Sequence, residues 1–373
     1  MRRSVHPIFF LLLISALVTW AQVDHYSFSE SKPYEPRVFP SSKKDQKKKK
    51  VNDPKPADPA TAATSLLGVS GKDSTTILVA PFGKDGRFVV DLKPKEFEAF
   101  VDDQPVEVTK VVAEDKPIDI VLVLDMSPSA TEKEKQIKDA ASQLVRSLPL
   151  DDRVMVIGFA GKAIISSDFS TDRPTILKAI DRLKQVEDGT SLYSTIGELH
   201  LKKLMGASER TAVIIMTDGV DTTSQTYTYS SSLEMAERAG VIEFPVYLDT
   251  FADATTLKVS PGAASIPPGL AAILRATTIP PGPPGGVAMK EDYDRGKLYL
   301  TDLLWLSGGR SVILKTGSDT AMDALFAVPV EVRCRYAVTF KLPSGGKSGE
   351  RHRVKIRINR PDLTILAKGS YIS

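Results

Sequence analysis

Cysteine is nearly absent from this 373-residue chain: Cys334 stands alone, so no disulfide can form within it. Histidine is almost as scarce, with His6, His25, His200 and His352 the only four. Without a Cys/His cluster, a structural or catalytic zinc centre is not expected. A strong charge of one sign is also missing. The net charge is +3, and Lys43, Lys44 and Lys47 to Lys50 crowd into one run, which leaves the rest near neutral. Nucleic-acid binding needs a basic face on a folded element, so it is not expected here. Beyond the first 21 residues no apolar run is long enough to span a bilayer. What is present is ordinary: 42% hydrophobic and 25% charged residues, enough apolar side chain for the full-sized core that a chain without disulfides requires.

Arg2 and Arg3 precede Ile8 to Val18, an apolar core of signal-peptide length, and Ala21 offers a small residue for cleavage. Residues 1–21 are therefore read as an export signal, and the expected location is periplasmic or extracellular. No Cys follows the apolar core, which argues against a bacterial lipid anchor there. Residues 22–65 are Lys-rich and then Pro/Ala/Asp-rich. Such a composition buries too little apolar surface to fold alone. It reads as a disordered arm, either a solvated tether or a weak contact with anionic envelope components.

The remainder divides by rhythm. Residues 66–114 read as a small β unit, with strands at Thr76–Ala80, Phe88–Leu92, Phe97–Val101 and Val106–Val111. Asp85-Gly86 and Asp102-Asp103 mark its turns. Residues 115–330 alternate strand and helix, which implies a mostly parallel sheet covered on both faces. Buried strands are expected at Ile118–Leu124, Val154–Phe159, Thr211–Met216 and Val241–Leu248, with Ala163–Ser167 at an edge. Helices are expected through Ile137–Leu148, Ile176–Leu183, Leu192–Leu199, Leu233–Ala239 and Tyr299–Leu306. The Pro/Gly-rich stretch at about 251–290 interrupts this rhythm as an insertion. Residues 331–373 return to alternating strands, a β-rich segment that can pack with the early unit.

One loop carries the strongest chemical signal. Asp125-Met126-Ser127-Pro128-Ser129 follows the first buried strand directly, so a carboxylate and two hydroxyls leave the sheet on one short turn. Gly189-Thr190-Ser191 opens a later helix, and Thr217-Asp218-Gly219 ends a second buried strand. In open α/β sheets the carboxyl ends of the strands, where strand order reverses, are where ligands bind. Asp125, Ser127, Ser129, Thr190 and Asp218 can therefore converge as oxygen ligands for a hard cation. Mg²⁺ is the expected ion, with Mn²⁺ or Ca²⁺ as substitutes. An open coordination position would favour an acidic group from a partner.

These residues resemble the metal-ion-dependent adhesion site of the von Willebrand factor type A domain. The chain is similar in particular to the exported bacterial subgroup of von Willebrand factor A-related proteins. Asp85 to Leu92 and Phe97 to Asp103 resemble the β segment that precedes the metal loop in that subgroup. Ser307-Gly308-Gly309-Arg310, Tyr336 and His352 to Ile356 resemble the turn and closing strand that follow it. The resemblance covers roughly residues 74–373. It implies a Rossmann-like, doubly wound α/β domain flanked by a β-rich unit, with no catalytic residues and a metal held by Asp125, Ser127, Ser129, Thr190 and Asp218. It implies adhesion or scaffolding toward a protein or surface ligand, and names no partner. Pro128 between the two serines and Ala130 after them depart from the pattern. Pro128 fixes its own φ and restricts Ser127, so the loop is preset or re-aimed.

Plainer roles compete for each residue. Ser127, Ser129 or Thr190 could merely cap the helix that follows, Asp218 could be a turn residue, and Asp221 reads as a turn or supporting residue. Tyr193 could line the site or pack. Trp305 reads as core, and Cys334 as a small buried apolar residue. A metal-dependent phosphohydrolase would want a second acid beside Asp125 and a Gly-rich Lys-Ser/Thr loop, and neither is in the sequence. A structural envelope protein with a vestigial site is the remaining alternative.

Overall fold

The computed structural model describes residues 73–84, 87–113, 116–185, 187–208, 210–250, 290–309, 312–314, 319–343 and 349–372. The expected export signal, the Lys-rich arm, the Asp85-Gly86 turn and the Pro/Gly-rich stretch fall outside those residues.

A six-stranded sheet forms the centre of the α/β domain. Its strands are β5 (Asp119–Asp125), β6 (Arg153–Phe159), β7 (Ala163–Ser170), β8 (Thr211–Thr217), β9 (Ile242–Leu248) and β10 (Val312–Leu314), in the order β10-β9-β8-β5-β6-β7. All neighbours run parallel except β7, which returns antiparallel to β6 at the edge. The central strands read as unbroken apolar runs because both of their faces are covered. Side-chain alternation sorts them into two cores. Ile120, Leu122 and Leu124 of β5, with Ala212, Ile214 and Met216 of β8, pack against helices α1 (Glu134–Ser147), α2 (Arg173–Asp181) and α6 (Asp319–Arg333). Val121, Val123, Val213 and Ile215 face the other way, onto α3 (Leu192–Leu199), α4 (Tyr229–Ala239) and α5 (Lys290–Ser307). The doubly wound, mostly parallel architecture is the one the alternating pattern predicts.

The flanking β-rich unit draws on both ends of the described chain. Strands β1 (Ser74–Gly83), β4 (Val108–Ala113), β11 (Tyr336–Lys341) and β13 (Leu363–Ala367) form one sheet in the order β13-β1-β11-β4. Strands β2 (Phe97–Val101), β3 (Gln104–Val106), β12 (Arg351–Ile358) and β14 (Ser370–Ile372) form a second, in the order β14-β12-β2-β3. The inward residues Ile77, Val79, Val338 and Phe340 of the first meet Phe97, Ala99, Val354 and Ile356 of the second in one core. Glu237 of α4 ties this unit to the α/β domain: it is buried, accepts two hydrogen bonds from the Arg351 guanidinium, and accepts one from the Ser370 hydroxyl at 2.6 Å.

Several local expectations change. Phe88–Leu92 is not a strand; it makes a single bridge, Phe82 to Phe88, before Leu92 N–H turns to the Tyr336 hydroxyl at 2.9 Å. Val106–Val111 is not one strand either. Glu107 divides it, so that β3 pairs with β2 and β4 pairs with β11 in the other sheet. Cys334 and Trp305 are half-buried rather than buried. Helices α4 and α5 begin earlier than their apolar spacing suggests, at Tyr229 and Lys290. Among the described residues no helix is long and apolar enough to cross a membrane.

Candidate metal centre at the switch point

Strands β5 and β8 lie side by side and in parallel, with Leu124 opposite Met216. The helix after β5, α1, crosses one face of the sheet, and the helix after β8, α4, crosses the other. The two loops therefore diverge at the carboxyl edge and leave a crevice between them. Asp125 and Asp218 stand at its floor, both with no exposed surface.

Each carboxylate is held by named donors. Asp125 Oδ1 accepts from Ser127 N–H at 2.9 Å, and Oδ2 accepts from the Thr217 hydroxyl at 2.6 Å. Asp218 Oδ1 accepts from Val220 N–H at 3.0 Å, and Oδ2 accepts from the Thr250 hydroxyl at 2.7 Å. The Ser129 side chain also bonds Asp218, and the Ser127 and Ser129 hydroxyl oxygens lie 3.2 Å apart. Ser127 occupies the residue before the short 3₁₀ turn Pro128–Lys133, yet its side chain makes no capping bond there. The capping reading of that serine is not realised, and its hydroxyl points to the acid cluster instead.

Thr190 reaches the same edge because its loop is stitched on both sides. Its N–H donates to the Thr222 hydroxyl at 2.9 Å, and its carbonyl accepts from Thr222 N–H at 2.8 Å and Thr223 N–H at 3.0 Å. Ser191 N–H next to it donates to the Ala160 carbonyl beyond β6 at 2.7 Å. Ser191, not Thr190, precedes α3, so capping does not account for Thr190. Asp221 is a turn residue: it accepts from Tyr193 N–H at 2.9 Å and from Ser224 N–H at 3.2 Å, binding the start of α3 to the loop after β8. Tyr193 packs with Tyr229 and Tyr299, at ring-centroid distances of 5.7 and 4.6 Å, which is the packing alternative for that residue.

Electrostatically the centre is strained. Burial pushes the Asp125 carboxyl up to about 7, and the nearby Asp218 charge adds to the rise, against the hydrogen bonds from Ser127 and Thr217. Burial likewise raises Asp218, opposed by bonds from Thr250, Val220 and Ser129. Two buried acids that disfavour each other's charge, ringed by hydroxyls, fit a hard divalent cation, which relieves both costs. Among the described residues no group of three or more His, Cys, Asp or Glu is placed to hold a metal. A cation in the crevice would complete its shell with hydroxyl oxygens or water beside the carboxylates.

Apolar periodicity alone does not mark three further contributors. Thr217 bonds Asp125, and its only sequence signal is its position before Asp218. Thr250 bonds Asp218 across 32 residues. Helix α5 rests on the Asp218 loop through a contact between two glycines. A Cβ on Gly296 would lie 2.6 Å from the Gly219 carbonyl carbon, and Gly219 itself has φ +80°. Gly296→Ala is expected to lower stability by about 1–3 kcal/mol through overpacking, measured by urea unfolding; an unchanged midpoint would mean that α5 can shift freely.

A doubly wound sheet with oxygen-bearing loops at its switch point places the domain in the Rossmann-like α/β class. Residues 120–220 match the family model for the von Willebrand factor type A domain. No curated protein matches the chain at a significant level. Among solved structures, the chain is similar to an aerotolerance-related membrane protein from Bacteroides fragilis, at 16% identity over 58% of this chain and 98% of that one, with a TM-score of 0.38. It is similar to the conserved hypothetical protein BatB from Bacteroides thetaiotaomicron, at 18% identity over 58% of this chain and 97% of that one, with a TM-score of 0.37. It is also similar to a von Willebrand factor type A protein from Catenulispora acidiphila, at 10% identity over 81% of this chain and 75% of that one, with a TM-score of 0.42.

Proposed function

We propose that this is an exported, non-catalytic adhesion or scaffold protein that holds a divalent cation, Mg²⁺ first, with Asp125, Ser127, Ser129, Thr190 and Asp218. The cation supplies a Lewis-acidic point that takes an acidic side chain from a protein or envelope partner. The observation that carries this reading is the pair of buried carboxylates, Asp125 and Asp218, facing each other at the switch point with serine hydroxyls between them. Export rests on Arg2, Arg3 and the apolar run Ile8 to Val18.

The chain's own residues have binding roles only. Asp125 and Asp218 provide charge. Thr217 and Thr250 fix the planes of those carboxylates by hydrogen bonding. Ser127, Ser129 and Thr190 add neutral oxygens, so no charge is added beyond the two carboxylates that formally balance the dication, and the cation stays Lewis-acidic toward an incoming anion. Nucleophilic use of the serines finds no histidine base beside them among the described residues. His200 is buried against the Ile196 carbonyl and Glu243, and His352 pairs with Asp102 in the β-rich unit.

The test is capture of Glu-containing peptides against Gln-containing peptides of the same length. A preference for Glu that requires Mg²⁺ and disappears in EDTA and in Asp125→Ala is expected. Equal capture with and without the metal would overturn the proposal.

A further inference from the structure

We infer that Thr250 and Tyr293 are positioning residues for the cation site: a chain of hydrogen bonds from helix α5 through Thr250 sets the orientation of the Asp218 carboxylate. This rests on the proposed reading of Asp218 as part of a cation site.

The direction of the bond to Asp218 follows from the chemistry of the groups. The ionised Asp218 carboxylate can only accept, so Thr250 spends its single hydroxyl proton on Oδ2 at 2.7 Å. The Tyr293 and Thr250 side chains are hydrogen-bonded to each other, which ties α5 to this partner of Asp218. Thr250 and Tyr293 are both buried. They sit on different elements: Thr250 follows β9 by two residues, and Tyr293 lies in the first turn of α5. Gly296 lies one turn further along α5 and is in backbone contact with Gly219, directly after Asp218. The same helix therefore touches the Asp218 loop twice, once through backbone and once through the Tyr293–Thr250 pair.

With Val220 N–H on Oδ1, and Thr250 and Ser129 on the rest of the group, the carboxylate has one permitted plane. Ser129 bonds Asp218 and also approaches Ser127 at 3.2 Å, so a rotation of Asp218 would move the hydroxyl pair as well. Partners that orient a metal's ligands typically change affinity by about 10- to 100-fold when removed. A purely structural role for the pair, docking α5 onto the end of β9, predicts a different outcome: lower stability with unchanged affinity.

The experiment compares wild type, Thr250→Val, Thr250→Ser and Tyr293→Phe in the full chain. Mg²⁺ affinity is read by calorimetry, and thermal unfolding is read in EDTA. Thr250→Val should weaken Mg²⁺ binding about 10- to 100-fold, Thr250→Ser should restore it, and Tyr293→Phe should weaken it less than Thr250→Val. Wild-type affinity in Thr250→Val, or a loss confined to the melting temperature, would overturn the inference. Thr250→Ser and Tyr293→Phe keep the test decisive if Thr250→Val does not fold. Absence of Mg²⁺ binding in wild type would instead overturn the cation site itself, and the positioning role with it.

Discussion

Exchanging Asp125 for Asn is expected to stabilise the metal-free protein at pH 8 while abolishing its response to divalent cations. Burial, and then the Asp218 charge, lift the Asp125 carboxyl from an ordinary 3.8 to about 7. The sign follows from linkage. A carboxyl raised in the folded state costs nothing below its unfolded value. The penalty then grows as pH rises from about 4 to about 7, and it is fully present above that. At about 1.4 kcal/mol per pKa unit, it comes to a few kcal/mol. An Asn at this position keeps an oxygen for Ser127 N–H, and it removes the charge. Thermal unfolding in EDTA should therefore favour Asp125→Asn by about 2–4 kcal/mol at pH 8 and by little at pH 4. Added Mg²⁺ should raise the wild-type midpoint and leave the variant unmoved. A variant less stable than wild type at pH 8 in EDTA would show that the acid pair is not a source of strain.

Loss of His200 should have an effect as large, in the opposite direction. His200 stands where α3 ends and is fully buried. Its Nδ1 donates to the Ile196 carbonyl at 2.7 Å, and its Nε2 meets Glu243 Oε1 of β9 at 2.6 Å. Burial pulls the imidazole pKa down, but the Glu243 charge and both hydrogen bonds outweigh it, so the net shift is upward. Glu243 Oε2 has no hydrogen-bond partner among the described residues, so His200 supplies the bond this carboxylate has. His200→Ala strands a buried charge and should cost about 3–5 kcal/mol, whereas replacing both partners with leucine should recover much of that. A raised histidine contributes fully below its unfolded pKa, near 6.5, and loses that contribution as pH rises through the higher folded value. The gap between wild type and His200→Ala in denaturant titrations should accordingly narrow at alkaline pH. A cost under about 1 kcal/mol would mean that the pair is hydrated like a surface one.

The acids at the strand ends were readable in the sequence because β5 and β8 are covered on both faces. Their apolar runs stop where the chain leaves the core, and Asp125 follows the first directly while Asp218 follows the second after Thr217. Thr190 was readable from the start of a helix, although the residue before that helix proved to be Ser191. Thr250 and Tyr293 gave no such signal, because their partners are set by how α5 docks on β9, not by periodicity. The same reasoning accounts for the misread β segments. Phe88–Leu92 has strand-like composition, but after one bridge its chain crosses toward the second sheet. Val106–Val111 alternates like one strand, yet Glu107 passes it between two. Composition reports which residues prefer extended backbone, while the pairing partner is decided by the sandwich core of Ile77, Val79, Val354 and Ile356.

The most direct test is calorimetric titration of Mg²⁺ and Mn²⁺ into the chelator-treated protein, wild type beside Asp125→Ala. Saturable one-site binding in wild type, absent from the variant, is the predicted result. Binding of equal strength in both proteins, or none in wild type, would contradict a cation centre built on Asp125 and Asp218.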